Sequence, residues 1–371
     1  MTNTLATPRS LFDTPRSELQ AILEGEPSYR LEQILQGRFR DYRFPWEITS
    51  LPKILRARLQ ESYEPSLATT TETYADSNQT IKALVHYPDG ATVETVLMVY
   101  PTRTTVCISS QAGCAMGCVF CATGQAGYDR QLTAGEMEEQ FVWAARTLRD
   151  LEIAARPTNV VMMGMGEPLA NYDNVISFLS TLNSSYEVGA RSITISTVGI
   201  VPGIKRLTEE PRQFNLAVSL HAPNDELRSS IVPINRRYDL ATLITSLKEY
   251  RRHTRRRVTF EYAMMAQIND FEDLAIELAS IALELEAHVN LIPLNPTPLY
   301  DTPGSPPSVL HSFASQLERM GVNVTIRDTR GSDIAAACGQ LASVAHPVAV
   351  SVRGRKGIKR LTKDISDPTT W

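Results

Sequence analysis

From about residue 101 to residue 327 the chain alternates short β-rich runs with longer helical ones, and this alternation constrains the fold more than any other feature. The β-rich runs are TTVCIS, TNVVMMG, SITISTV, FNLAVSLH, RVTFEYAM, HVNLIPL and VNVTIRD. Helical stretches lie between most of them, among them TAGEMEEQFVWAARTL, NYDNVISFLSTL, DLATLITSLKEYRR and FEDLAIELASIALEL. Strands that alternate with helices predict βα units and a parallel sheet covered by helices. Seven strands fall short of a closed eight-fold barrel. The expected fold is therefore α/β, an open or partial (β/α) barrel with its active-site residues at the C-terminal ends of the strands.

Two further regions precede this core. Residues 1–68 read as a small helical accessory domain, with helical spacing in TPRSELQAILEG, SYRLEQILQGRF and SLPKILRARLQESY. Residues 69–100 read as a β-hairpin extension, because QTIKALVHYPDGATVETVLMVY alternates apolar and polar residues around a Pro-Asp-Gly turn. The core is then expected over 101–345, followed by a basic tail over 346–371.

The 371 residues are 43% hydrophobic and 21% charged, a globular composition. The N-terminus has no apolar stretch behind a basic start, which argues against a secretory signal. No run of about 18 apolar residues suggests a membrane span. Five cysteines are too few for a disulfide scaffold, and four of them fall between 107 and 121. That clustering points to a reducing compartment, the cytoplasm, and to metal binding or catalysis. The net charge of −4 does not announce a nucleic-acid binder, although local basic patches remain able to bind one.

Cys114, Cys118 and Cys121 are spaced C-x3-C-x2-C in one loop just after the strand TTVCIS. Soft thiolates select zinc, copper(I) or iron–sulfur clusters. A closed zinc site takes four ligands, often in two pairs. The remaining cysteines, Cys107 and Cys338, do not stand at that spacing. A 4Fe–4S cubane held by three cysteines leaves one iron open to a substrate or cofactor. In this position the loop resembles that of the radical S-adenosylmethionine superfamily, in which the open iron binds S-adenosyl-L-methionine.

Further strings occur in order along the chain: VETV, CISSQAGC, MGMGEPLANYDNV, ITISTVGIVP, LAVSLHAPND, NLIPLNP and RDTRGSDIAAACGQLA. Together they resemble the dual-specificity 23S ribosomal RNA and transfer RNA adenine-C2 methyltransferases of that superfamily, over most of the chain. The resemblance implies cluster ligation by Cys114, Cys118 and Cys121. It implies contacts to S-adenosyl-L-methionine from Gly166, Glu167, Ser196, Ser219, Leu220, His221 and Asn295. Cys338 corresponds to the cysteine that is itself methylated, Cys107 to the thiol that later forms a disulfide with it, and Glu94 to the general base. By themselves, Cys338 and Cys107 read as core thiols, Glu94 as a solvated hairpin charge, and Ser219 and His221 as satisfied polar groups at a barrel rim.

The implied chemistry suits the substrate. The C2 carbon of adenine is electron-poor and does not attack a methyl sulfonium. In the family one S-adenosyl-L-methionine methylates the cysteine, and a second yields a radical that takes hydrogen from the S-methyl group. The carbon radical adds to C2, a base removes the C2 proton, and a second thiol frees the product. The implied partners are 23S rRNA, tRNA and a low-potential donor of the flavodoxin type, with no membrane, and a monomer is expected. The target base must leave its stack, so RNA-gripping patches are expected. The candidates are Arg251, Arg252, Arg255, Arg256 and Arg257, the tail cations Arg353, Arg355, Lys356, Lys359, Arg360 and Lys363, and the interleaved arginines and aromatics from Arg38 to Trp46. Three alternatives stay open: methylation at C8 of the same rRNA adenosine, a radical enzyme acting on something other than RNA, and a non-catalytic zinc-dependent RNA-binding protein.

Overall fold

The structure, a computed structural model, describes residues 9–64, 69–75, 79–154, 156–297, 299–327 and 334–341. The expected basic tail and its cations lie outside the described residues. The N-terminal region carries β1 (Arg9–Ser10), α1 (Arg16–Ile22), α2 (Tyr29–Phe39) and α3 (Lys53–Ser62), and β2 (Tyr63–Glu64) pairs parallel with β1. The three helices turn Leu19, Leu31, Ile34, Leu55 and Leu59 into a small core that also holds Leu11, Leu51 and Tyr63.

Antiparallel strands come next: β3 (Thr69–Ala75), β4 (Thr80–His86) and β5 (Thr92–Val99). After β6 (Thr104–Cys107), a two-stranded antiparallel ribbon of β7 (Gln111–Gly113) and β8 (Tyr128–Gln131) encloses the short α4 (Ala122–Ala126). The alternating region follows: α5 (Ala134–Asp150), β9 (Asn159–Met162), α6 (Tyr172–Ser184), β10 (Ile193–Thr197), α7 (Val201–Thr208), β11 (Asn215–Ser219), α8 (Asp225–Ile231), α9 (Leu240–Thr254), β12 (Val258–Met264), α10 (Glu272–Glu284), β13 (His288–Pro293), α11 (Pro307–Arg319) and β14 (Asn323–Ile326). Side chains start several of these helices. Thr133 and Glu136 form a reciprocal capping box on α5, and Asn224 and Asp239 accept backbone N–H groups at the starts of α8 and α9.

The seven strands expected from the sequence, β6 and β9 to β14, pair parallel in sequence order, and β5, β4 and β3 continue the same sheet antiparallel. The ten-stranded sheet is open, because β14 and β3 end the row and do not pair with each other. Side-chain alternation gives the curved parallel region a core face and a lumen face. Leu216 and Val218 of β11, Phe260 and Tyr262 of β12, and Val289 and Leu291 of β13 are buried in the main core. Their neighbours Asn215, Ala217 and Ser219, with Thr259, Glu261 and Asn290, line the lumen. The hydrophobic effect thus holds the helices on one face and leaves the other for polar chemistry.

Within the run from Arg38 to Trp46, Arg38 and Tyr42 are buried, whereas Arg40 is exposed and pairs with Glu187. Arg38 is buried and grips Glu138 of α5 with two bonds of 2.8 and 2.7 Å, while donating to the carbonyls of Leu11 and Phe12. Tyr42 stacks on Tyr186, and Phe44 on Trp46. Arg43 is exposed.

Candidate active site at the strand C-termini

The cluster-type loop is the connection of the β7–β8 ribbon. Its base is fixed where the Cys114 N–H donates to Gly127 O at 2.7 Å. Gly124 runs so close to Cys118 that an added Cβ would stand 3.1 Å from its nitrogen. Cys114, Cys118 and Cys121 all line one cavity of about 230 Å3 at the C-terminal ends of the parallel strands. Burial pushes the Cys114 thiol up to about 12 and the Cys118 thiol well above the usual thiol range.

Among the described residues, no three His, Cys, Asp or Glu side chains converge to hold a single metal ion. Three thiols that line one cavity are the soft donors that hold a 4Fe–4S cluster. The irons' positive charge would also offset the burial that disfavours the thiolates.

Most of the other expected residues border the same cavity. Cys107, at the end of β6, and Cys338 both line it, as do Gly166, Glu167, Ser196, Ser219, His221 and Asn295. Cys338 is exposed to the cavity. Desolvation, with Glu261 nearby, pushes its thiol up to about 11. Cys107 is buried, and burial followed by the nearness of Cys338 pushes it up to about 12. Both cysteines are free thiols in this structure.

The Cys338 segment is pinned to the cluster-type loop. Ala122 N–H donates to Gly339 O at 2.8 Å, and the Thr123 hydroxyl donates to Leu341 O at 2.6 Å. From the other side, Asn295 Nδ2 donates to Cys338 O at 3.1 Å.

Several expected contacts carry structural duties. Gly166 has φ +98°, and a Cβ there would meet the Gln111 side chain at 2.5 Å and its backbone nitrogen at 2.8 Å. The Glu167 carboxylate is buried. One oxygen accepts from Leu169 N at 3.0 Å and the other from Val198 N at 2.8 Å, while burial raises its pKa to about 7. His221 has φ +59°, and its Nδ1 accepts from Ala263 N at 3.0 Å. Burial, with Arg228 adding repulsion, lowers its pKa to about 3, so the ring is neutral. Leu220 is fully buried in the main core and does not border the cavity.

Glu94 does not border the cavity either, and it is not the solvated charge that a hairpin position suggests. It is buried on β5, two residues from the lining residue Val96 and therefore on the same strand face. Its carboxylate pairs with Lys82 Nζ at 2.7 Å.

Sequence reasoning missed a polar scaffold beneath these residues. The Ser109 hydroxyl donates to Glu94 O at 2.5 Å and accepts from Met165 N at 2.8 Å, and Gln140 brackets the Ser109 backbone. Arg228, buried, donates to the carbonyls of Leu220 and Val198 and to Asn235. The neighbours of Ser109, Gln140 and Arg228 in CISSQ, MEEQF and DELRSS include other polar residues, so no local pattern singles them out. Of the expected basic patches, Arg251 pairs with Glu286, while Arg255, Arg256 and Arg257 line a second cavity of about 430 Å3 at the other end of the lumen. No helix among the described residues is long and apolar enough to cross a membrane.

An open parallel barrel that gathers three loop thiols at its strand C-termini defines the radical S-adenosylmethionine class, and residues 108–279 match the Radical SAM superfamily model. The chain superposes on the crystal structure of a radical SAM methyltransferase from Sphaerobacter thermophilus with a TM-score of 0.87 at 47% identity, covering 91% of this chain and 100% of that one. It is 46% identical over 348 residues to the "Probable dual-specificity RNA methyltransferase RlmN" of Chloroflexus aurantiacus, covering 90% of this chain and 93% of that protein. It is 45% identical over 366 residues to the protein of the same name from Parafrankia sp., covering 94% of each. Within the radical SAM superfamily, the chain belongs to the RlmN family of dual-specificity RNA methyltransferases.

Proposed function

We propose that this protein methylates C2 of adenosine in 23S rRNA, at the peptidyl-transferase centre, and in tRNA, 3′ of the anticodon. Each methylation consumes two S-adenosyl-L-methionine and passes through a methylated cysteine. The observation that carries this reading is the joint placement of Cys107, Cys338 and the three loop cysteines around one cavity. Cys114, Cys118 and Cys121 would hold the 4Fe–4S cluster. When bound, the cluster supplies the electron that cleaves S-adenosyl-L-methionine to a 5′-deoxyadenosyl radical.

The chain's own residues do the rest. The Cys338 sulfur carries the methyl group to the base, and the loop bonds to Asn295 and Ala122 hold that sulfur at the cavity. Glu94 takes the C2 proton from the adduct. Cys107 then attacks the Cys338 sulfur: the S–S bond forms, the S–CH2 bond breaks, and its electron pair takes up a proton from Glu94 to complete the new methyl group, while the adduct's unpaired electron would return to the oxidised cluster. Gly166, Ser196, Ser219 and the backbone around Glu167 border the space for S-adenosyl-L-methionine. A low-potential donor of the flavodoxin type and a reducing cytoplasm suit this thiol chemistry.

The test is mass spectrometry of digested rRNA and tRNA after anaerobic incubation with reconstituted protein, S-adenosyl-L-methionine and reductant. The expected product is 2-methyladenosine. An 8-methyladenosine product would move the activity to C8, and unmodified RNA from cluster-loaded protein would defeat the RNA reading.

A further inference from the structure

Lys82 has no role in the chemistry described above, yet it is buried on β4 within reach of both the carboxylate on β5 and the Cys338 segment. Its Nζ stands 2.7 Å from Glu94 Oε1 and donates to Ala335 O at 3.3 Å. Ala335 has φ +50°, an unfavourable backbone region for a residue with a Cβ, and Cys338 follows three residues later. On the Glu94 side the main chain is already fixed by Ser109 and by Met165, whose Sδ accepts the Glu94 N–H at 3.3 Å. One ammonium group therefore joins the carboxylate to the segment that carries the methyl-acceptor sulfur.

We propose that Lys82 is a positioning residue for proton removal from the RNA adduct. It turns Glu94 Oε1 and holds the turn before Cys338 in register with it. In the step it serves, the C2–H bond breaks, the proton passes to the Glu94 carboxylate, and the electron pair stays with the adenine ring. The inference rests on Glu94 as the base, and the experiment separates the two.

Wild type, Lys82→Met, Lys82→Arg, Glu94→Gln and the Lys82→Met/Glu94→Gln pair are compared under anaerobic single-turnover conditions with an rRNA fragment. Four quantities are read: S-methylcysteine at residue 338, 5′-deoxyadenosine, covalent RNA–protein adduct on a denaturing gel, and methylated adenosine. For Lys82→Met, the first two should stay near wild type while the adduct persists and methylated adenosine forms at least tenfold more slowly. Lys82→Arg should recover most of the product, and the double variant should be no slower than Glu94→Gln alone. Should Lys82→Met lose its cluster, Lys82→Gln, which keeps a donor but no charge, carries the same comparison.

A wild-type product rate in Lys82→Met beside an impaired Glu94→Gln overturns the role of Lys82 and leaves the base in place. Proportional loss at all four readouts also overturns it, because a merely structural residue gives that pattern. A wild-type rate in Glu94→Gln removes the base itself, and the role of Lys82 with it.

Discussion

Asn295 Nδ2 donates to the main-chain carbonyl of Cys338 at 3.1 Å, so a residue on the loop after β13 fixes the backbone of the proposed methyl acceptor. The bond goes to the carbonyl and not to the sulfur. Asn295→Ala should therefore loosen the segment without removing the thiol. A lost neutral hydrogen bond of about 1 kcal/mol corresponds to roughly a fivefold effect. The expected result is methylation of Cys338 slowed about fivefold, read as S-adenosylhomocysteine formed per enzyme in the absence of RNA. Cluster absorbance should be unchanged.

His221 makes stability depend on pH. Its folded pKa of about 3 lies below the ordinary value of 6.5 because the ring is buried beside Arg228. Between those values the unfolded chain takes up a proton that the folded imidazole refuses. The contribution is complete above pH 6.5 and is lost as pH falls toward 3, reaching about 2 kcal/mol of lost stability at pH 5. Asn tolerates the positive φ of this position and does not titrate. His221→Asn should therefore flatten the drop in unfolding free energy between pH 7 and pH 5. An unaltered slope would show that other groups control it.

The Arg38–Glu138 pair ties the N-terminal helices to α5, with Tyr186 also donating to Glu138 at 2.7 Å. Removing one member of a buried pair strands the other charge, at a cost of about 3–5 kcal/mol. Arg38→Met should lower the midpoint of thermal unfolding sharply. Arg38→Met/Glu138→Leu should recover much of the loss, since both charges are then gone. Equal destabilisation by the single and double variants would mean that the bonds from Arg38 to the Leu11 and Phe12 carbonyls matter more.

The parallel sheet was legible in the sequence because its strands are short, most are rich in β-branched residues and followed by a helix, and all seven expected strands lie in it. The cluster-type loop was legible because three thiols in eight residues have few structural explanations. Other features have no such local signature. The β7–β8 ribbon is three and four residues long, below what alternation reveals. Buried Glu94 meets Lys82 diagonally across the hairpin, two register positions apart, a contact with no local trace in either segment. Arg38 sits in a run of charged and aromatic residues that reads as surface. Its partner Glu138 lies 100 residues away in sequence, so no local pattern betrays its burial.

Cys107 and Cys338 come from opposite ends of the barrel sequence and meet at one cavity wall, and the two thiols should fail at different steps. Cys338→Ala removes the sulfur that carries the methyl group. It should abolish RNA methylation while the brown colour of the cluster and the cleavage of S-adenosyl-L-methionine persist. Cys107→Ala leaves that sulfur but removes the thiol that releases the product. It should accumulate a covalent protein–RNA species joined through residue 338, stable to denaturation, with free product lowered at least a hundredfold. The pair is read by denaturing gel with labelled RNA and by peptide mass spectrometry. Methylated RNA from Cys338→Ala would exclude the cysteine-borne methyl. Free product from Cys107→Ala at the wild-type rate would assign the release step to another group. An adduct in Cys107→Ala that disappears in the double variant would establish the order, with Cys338 acting first and Cys107 last.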